Sequence, residues 1–154
     1  MTYLSLKVIH MLSMVLLFGT GLGSAWYKWM ADRSKNVCHI AVTNKQVVLA
    51  DWLFTTPTVI IQPVTGLALL YVLDIPISTP WVMWSLVLYA FAGLCWIPVV
   101  WLQIKMRNIS QEACQKNLPL NETYWRYARV WFWLGVPAFI SMIIIVMLMV
   151  FKFS

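Results

Sequence analysis

The sequence predicts an all-α integral membrane protein, a four-helix bundle with both termini on the periplasmic side. Three observations lead there. Only 10% of the 154 residues are charged against 62% hydrophobic, with a mean hydropathy of +0.78. A soluble domain carries roughly 25% charged residues, so this chain has too few to cover a water-facing surface. Apolar residues also gather in four long runs, at about 3–29, 47–73, 81–104 and 130–151. Each meets the ~20 residues that carry a helix across the hydrocarbon core. Finally, the runs do not alternate polar and apolar, and lipid offers no partner to open backbone groups, so helices are expected rather than a barrel. The whole chain, 1–154, reads as a single four-helix transmembrane domain.

The first run, Tyr3–Trp29, holds Lys7, His10 and Lys28 as its only ionisable side chains. A lysine near its start and the small residues Gly23, Ser24 and Ala25 imitate a secretory signal, but the apolar run exceeds the usual core of such a signal and Trp26, Tyr27 and Trp29 follow. It is expected to be a retained helix. Gly19 and Gly23 share one face, where a neighbouring helix or a flat ligand approaches closely. The second run, Val47–Leu73, begins near Asp51 and contains Pro57 and Pro63, which bend the helix and free carbonyls that Thr55, Thr56, Gln62 and Thr65 can satisfy. Gln62 falls mid-membrane and is expected to face the bundle interior, bound to a ligand or to another helix. The third run, Trp81–Ile104, is uncharged, flanked by Trp81, Trp84 and Trp101 as interface aromatics and kinked at Pro98. The fourth, Val130–Phe151, is also uncharged and contains Pro137.

Orientation follows from the basic residues. The 1–2 connection and its flanks carry Lys28, Arg33, Lys35 and Lys45, and the 3–4 connection carries Lys105, Arg107, Lys116, Arg126 and Arg129. The opposite side has Lys7 and Lys152, so nine of the eleven basic residues lie on one side. The positive-inside rule puts that side in the cytoplasm and both termini outside. The net charge of +6 is then explained by topology and the anionic inner leaflet, without a nucleic-acid partner. The 1–2 connection reads as a short polar segment, and the 3–4 connection, the longest, as a surface segment with a short amphipathic helix. Cys38 and Cys114 fall on the cytoplasmic side, where thiols are expected to stay reduced, while Cys95 lies mid-span. No cysteine spacing matches a zinc site. The sequons at Asn108 and Asn121 lie on the cytoplasmic side and read as chance.

His10, about two turns into the first run, is the candidate functional residue. An ionisable side chain inside a membrane helix is rare and points to function. Two roles fit a lone imidazole there: axial ligation of a haem iron or relay of a proton. The plain alternative is a ring satisfied by a neighbouring hydroxyl or carbonyl. His10, Ser13, Met14, Leu17 and Gly21 share a helical stripe, with apolar walls and a small residue that suit a porphyrin edge or any packed face. His39 lies roughly 30 Å further along, too far to share an iron with His10, and reads as a surface residue. A second axial ligand would come from Met83, Met147 or Met149, at about the same depth. The five acidic residues sit at run ends or in connections, and no nucleophile elbow, phosphate loop or carboxylate pair is present.

The segments "YLSLKVIHMLSMVLLFGTGLG", "TTPTVIIQPVTGL", "PWVMWS" and "YWRYARVWFWLGVPAFISMIIIVMLMVFK" together resemble, over nearly the full length, an uncharacterised bacterial family of predicted integral membrane proteins. That family is similar to HemJ, the membrane protoporphyrinogen oxidase, and more remotely to the membrane domain of copper-resistance proteins. The HemJ resemblance implies haem b on the helix-1 histidine, hence on His10. The histidine and lysine that HemJ carries at the start of helix 3 are Met83 and Ser85 here, and its helix-4 asparagine–glutamate pair is replaced by "RVWFW". The expected site is therefore His10 as iron ligand with Met14, Gly21, Gln62 and Met83 around a haem b. The expected function is a cytochrome-like redox role, with quinone as an electron partner. A HemJ-like oxidase acting on a porphyrin, and an accessory subunit of a larger membrane complex or homo-oligomer, are the alternatives.

Overall fold

The computed structural model describes residues 2–152, and among these every element is helical. In chain order they are α1 (Thr2–Ser34), α2 (Val37–Ala50), a π-helical turn (Asp51–Thr55), α3 (Thr56–Val72), α4 (Pro80–Gln115) and α5 (Glu122–Phe151). Helix α2, the π turn and α3 run on as one membrane span, giving four spans among the described residues. The expected all-α membrane architecture is thus found.

The connections at the basic end are shorter than the sequence suggests, because the helices continue past the membrane. Helix α1 runs to Ser34, and Asn36 starts α2 at once by accepting the His39 amide on its side chain at 3.1 Å. Helix α4 reaches Gln115, and Asn121 caps α5 the same way through the Tyr124 amide at 2.9 Å. Lys35 and Asn117 take φ values of 54° and 53°, the left-handed turn that closes a helix C-terminus. The amphipathic surface helix expected in the 3–4 connection is therefore the outward extension of α4 and α5 themselves.

These extensions carry Cys38, in the first turn of α2, to Cys114, in the last turn of α4, with Cα atoms 4.9 Å apart, and the two are joined as a disulfide. This corrects the expectation of two free thiols. Sequence separation hid the pairing; antiparallel helix ends created it.

The π turn has a local cause. Pro57 has no amide proton, so the helix cannot close its regular bond to the carbonyl four residues back. The Thr56 amide reaches instead to the Asp51 carbonyl, five residues back, and the Thr56 hydroxyl binds the same oxygen at 3.0 Å. Pro63 orphans the Val59 carbonyl in the same way, and there the donor is Tyr89 of α4, whose hydroxyl lies 2.7 Å from that oxygen.

Helix α2 lies between two pairs: α1 with α3 on one side, α4 with α5 on the other. The densest packing lies at the basic end, where Ala31, Ile40, Val99, Leu102, Met106, Tyr124 and Trp131 form the core. Helix α1 is the least enclosed span, with only Ser13, Lys28 and Ala31 buried.

Candidate functional site

The second span carries a line of buried polar side chains from end to end. Asn44, Asp51, Thr55, Thr58, Gln62 and Thr65 are all buried, at steps of seven, four, three, four and three residues, which hold them on one helical face. At ~1.5 Å per residue the line is roughly 30 Å long, the thickness of a hydrocarbon core. The sequence carries the spacing; the structure adds that every member of this seam is buried.

At one end of the seam stands His10. Gly66 faces the ring: a Cβ built there would lie 3.3 Å from His10 Cε1, so a larger residue would press the ring a few tenths of an ångström away from α3. The His10 Nδ1 is 2.9 Å from Thr65 Oγ1, and Gln62 Nε2 is 3.2 Å from His10 Nε2. Ser13 donates to the His10 carbonyl at 2.9 Å and is also bonded to Gln62 Oε1. The amide N–H of Gln62 faces Nε2, so Nε2 accepts and the proton resides on Nδ1, which donates to Thr65; Thr65 donates onward to the Ile61 carbonyl at 2.7 Å. The imidazole is half-buried.

Midway, Asp51 is buried at 6% exposure, with Thr55 donating to its carboxylate at 2.8 Å and Gln103 of α4 beside it. This corrects its expected place at a span edge: extending α2 back to Val37 draws Asp51 into the interior. Gln103 Oε1 is buried with no partner among the described residues.

At the basic end the seam meets a second cluster. Lys28, 1% exposed, donates to Asp32 Oδ2 at 2.8 Å and to the Tyr124 hydroxyl at 3.1 Å, while Tyr124 donates to Asp32 Oδ1 at 2.6 Å. Asn44 donates to the Tyr124 hydroxyl at 3.1 Å and to Ser110 at 3.0 Å, so α1, α2, α4 and α5 meet here. The Lys28 ammonium also lies 5.5 Å from the Trp131 ring. In the sequence Lys28 stands only as one of the basic residues that set topology. The i,i+4 spacing of Lys28 and Asp32 was the signal available for more.

Of the residues expected around a haem, His10 and Gln62 are brought together. Met14 is half-buried on α1, and Gly21 has open space at its Cβ position. Met83 is 51% exposed on α4, which packs on α2 and α5, so it is not drawn to His10. As arranged, these residues do not fit a haem iron: both imidazole nitrogens are engaged, and the Gln62 amide occupies the side of Nε2 that iron would take. His39 is exposed on α2, as expected. Among the described residues no three His, Cys, Asp or Glu side chains converge as a metal cluster.

A family described as "Predicted integral membrane protein (DUF2269)" matches residues 4–153. No curated protein and no solved structure matches the chain, so the comparisons do not extend the likeness to HemJ or to the copper-resistance membrane domain. With its four helical spans and a match over nearly its whole length, the chain belongs to the DUF2269 family of predicted integral membrane proteins.

Proposed function

We propose that this multi-pass membrane protein relays protons through its second span, with His10 as the group that takes up and releases them. The observation that carries this reading is the row of buried polar side chains along one face from Asn44 to Thr65, with titratable groups at both ends and at Asp51 between. Buried ionisable residues in a bilayer mark proton and ion pathways. Hydroxyls both donate and accept, so Thr55, Thr58 and Thr65 suit a relay. At His10, Nε2 takes a proton from water at that end of the bundle as Gln62 turns its amide so that Oε1 accepts the new N–H, and the proton on Nδ1 leaves toward Thr65. In the bacterial inner membrane, with both termini outward, His10 would sit near the outer face and Lys28 near the inner one.

Proteoliposomes loaded with a pH-sensitive dye test this. An imposed membrane potential should drive proton entry above that of protein-free vesicles, and His10→Ala should abolish it. Flux equal to empty vesicles from folded wild-type protein would overturn the reading.

Haem b on His10, with a redox role toward quinone, is the second reading. The Nδ1 bond to Thr65 favours it, since a metal-bound imidazole holds its far nitrogen in such a bond. It requires Gln62 to leave Nε2. A Soret band in purified protein that disappears in His10→Ala would establish it over the proton relay. An accessory-subunit role draws on a different feature, an apolar groove of about 480 Å³ between α1 and α2, with Gly19 and Gly23 on its α1 wall. Co-purification of a partner released by Gly19→Leu would support it.

A further inference from the structure

We propose that the groove between the end of α1 and the start of α5 binds the phosphate headgroup of an anionic phospholipid. The groove measures about 420 Å³ and lies at the basic end of the bundle, lined by Lys28, Trp29, Asp32, Trp125, Arg129 and Trp131 among others. Its charges do not cancel. The Lys28 ammonium is already committed to Asp32 and Tyr124. Arg129 is exposed and makes no hydrogen bond or ion pair among the described residues, so the groove presents one uncommitted guanidinium. A planar guanidinium is suited to a phosphate by its paired donors.

A second observation points to the same ligand. Trp131 is 9% exposed, and its indole N–H is buried without an acceptor among the described residues. A buried donor left unpaired is costly. A phosphate oxygen in the groove would supply the missing acceptor after a small movement of the ring. The aromatic surround also fits a lipid: Trp29, Phe132 and Trp133 are exposed by 41%, 49% and 69% along the same groove, at the level where tryptophans meet headgroups. Basic pockets between transmembrane helices on the cytoplasmic side are recurrent sites for anionic headgroups. A zwitterionic lipid would bring its cationic choline against Arg129.

The test is native mass spectrometry of the delipidated full chain in detergent, titrated with phosphatidylglycerol and with phosphatidylcholine of matched acyl chains. Phosphatidylglycerol should bind about tenfold more tightly, the weight of one hydrogen bond to a charged group. Arg129→Gln, a surface change, should bring the two lipids to near parity. Trp131→Phe should weaken phosphatidylglycerol alone, with folding checked by circular dichroism. Equal affinity for both lipids in the wild type, or a preference that survives Arg129→Gln, overturns the proposal. So does displacement of bound phosphatidylglycerol by inorganic phosphate at equal concentration, which would make this a site for free anions.

Discussion

Lys28 and Tyr124 lie 96 positions apart in sequence, yet the lysine ammonium sits 3.1 Å from the tyrosine hydroxyl, and both turn inward on Asp32. This triad clamps the first span to the last. Removing one member leaves an uncompensated buried charge, whereas removing both charges together does not. Asp32→Ala should therefore lower stability by about 3–5 kcal/mol. The double change Lys28→Met with Asp32→Leu should recover most of that loss. Thermal melting in detergent, arranged as a double-mutant cycle, measures the coupling. Additive losses would show that the pair is not coupled in the folded bundle.

Tyr89 is the donor to a carbonyl that Pro63 leaves open, 30 positions away. Tyr89→Phe keeps the ring and removes only the hydroxyl. The Val59 carbonyl then has neither a helical amide nor water, and the expected loss is about 1–3 kcal/mol. Replacing Pro63 by alanine in the same variant restores an amide to Val59 and should recover stability. Equilibrium unfolding of the two variants checks this.

Cys38 and Cys114 close a loop across 76 positions at the basic end of the bundle. Cross-linking over such a distance stabilises by about 2–4 kcal/mol, so a reducing agent should lower the melting temperature of purified wild type and leave Cys38→Ser unchanged. The pairing also tests orientation. Cytoplasmic thiols are kept reduced, so the bond and the positive-inside assignment pull in opposite directions: free thiols at both residues in acid-quenched cells would uphold the assignment, with the bond forming on purification. A fully oxidised pair in quenched cells would put the basic end on the oxidising side and reverse the topology.

Much of the fold was legible because hydrophobic run length is dictated by bilayer thickness, which tertiary packing does not override. The helix ends at the basic side were not, since charged residues there mark the edge of lipid and not the end of the helix: α4 runs on through Lys105, Arg107 and Glu112 to Gln115. His10 and Gln62 stood out individually as polar groups in apolar runs. Their meeting, 52 positions apart, is fixed by the packing of α1 on α3 beside Gly66, and no sequence pattern shows it. Asp51 and Lys28 were misplaced for one reason: each was read by its distance from a run end, while burial is decided by which helix lies opposite.

Gly66→Ala probes that close approach. The added methyl would meet His10 Cε1 at 3.3 Å, so the imidazole must shift by a few tenths of an ångström. Alanine gains up to about 1 kcal/mol of helix propensity, against an overpacking cost of about 1–3 kcal/mol. Stability should fall by about 1 kcal/mol, while the Thr65–His10 bond lengthens. Imidazole nitrogen chemical shifts in micelles should move clearly in this variant and stay fixed in the distant control Gly135→Ala. Unchanged shifts in Gly66→Ala would show that the ring does not rest on α3.

Gln62 decides which chemistry His10 can perform. Its amide donates to Nε2 while its oxygen is bonded to Ser13, so it fixes the imidazole as a neutral ring with the proton on Nδ1. Replacing it with leucine removes both contacts and leaves the Ser13 hydroxyl its bond to the His10 carbonyl. The cost should be modest, about 1–2 kcal/mol, because the serine retains a partner. The loss of relay should be complete, because nothing then accepts the Nε2–H bond of the ring once it takes up a proton. Gln62→Ala, which also opens space beside the ring, should expose Nε2 as a ligand. Titration with haemin should give a Soret shift in this variant, none in wild type, and none in the double variant with His10→Ala. If wild type takes up haemin as readily as Gln62→Ala, Gln62 does not guard the nitrogen and the ring is free to hold iron.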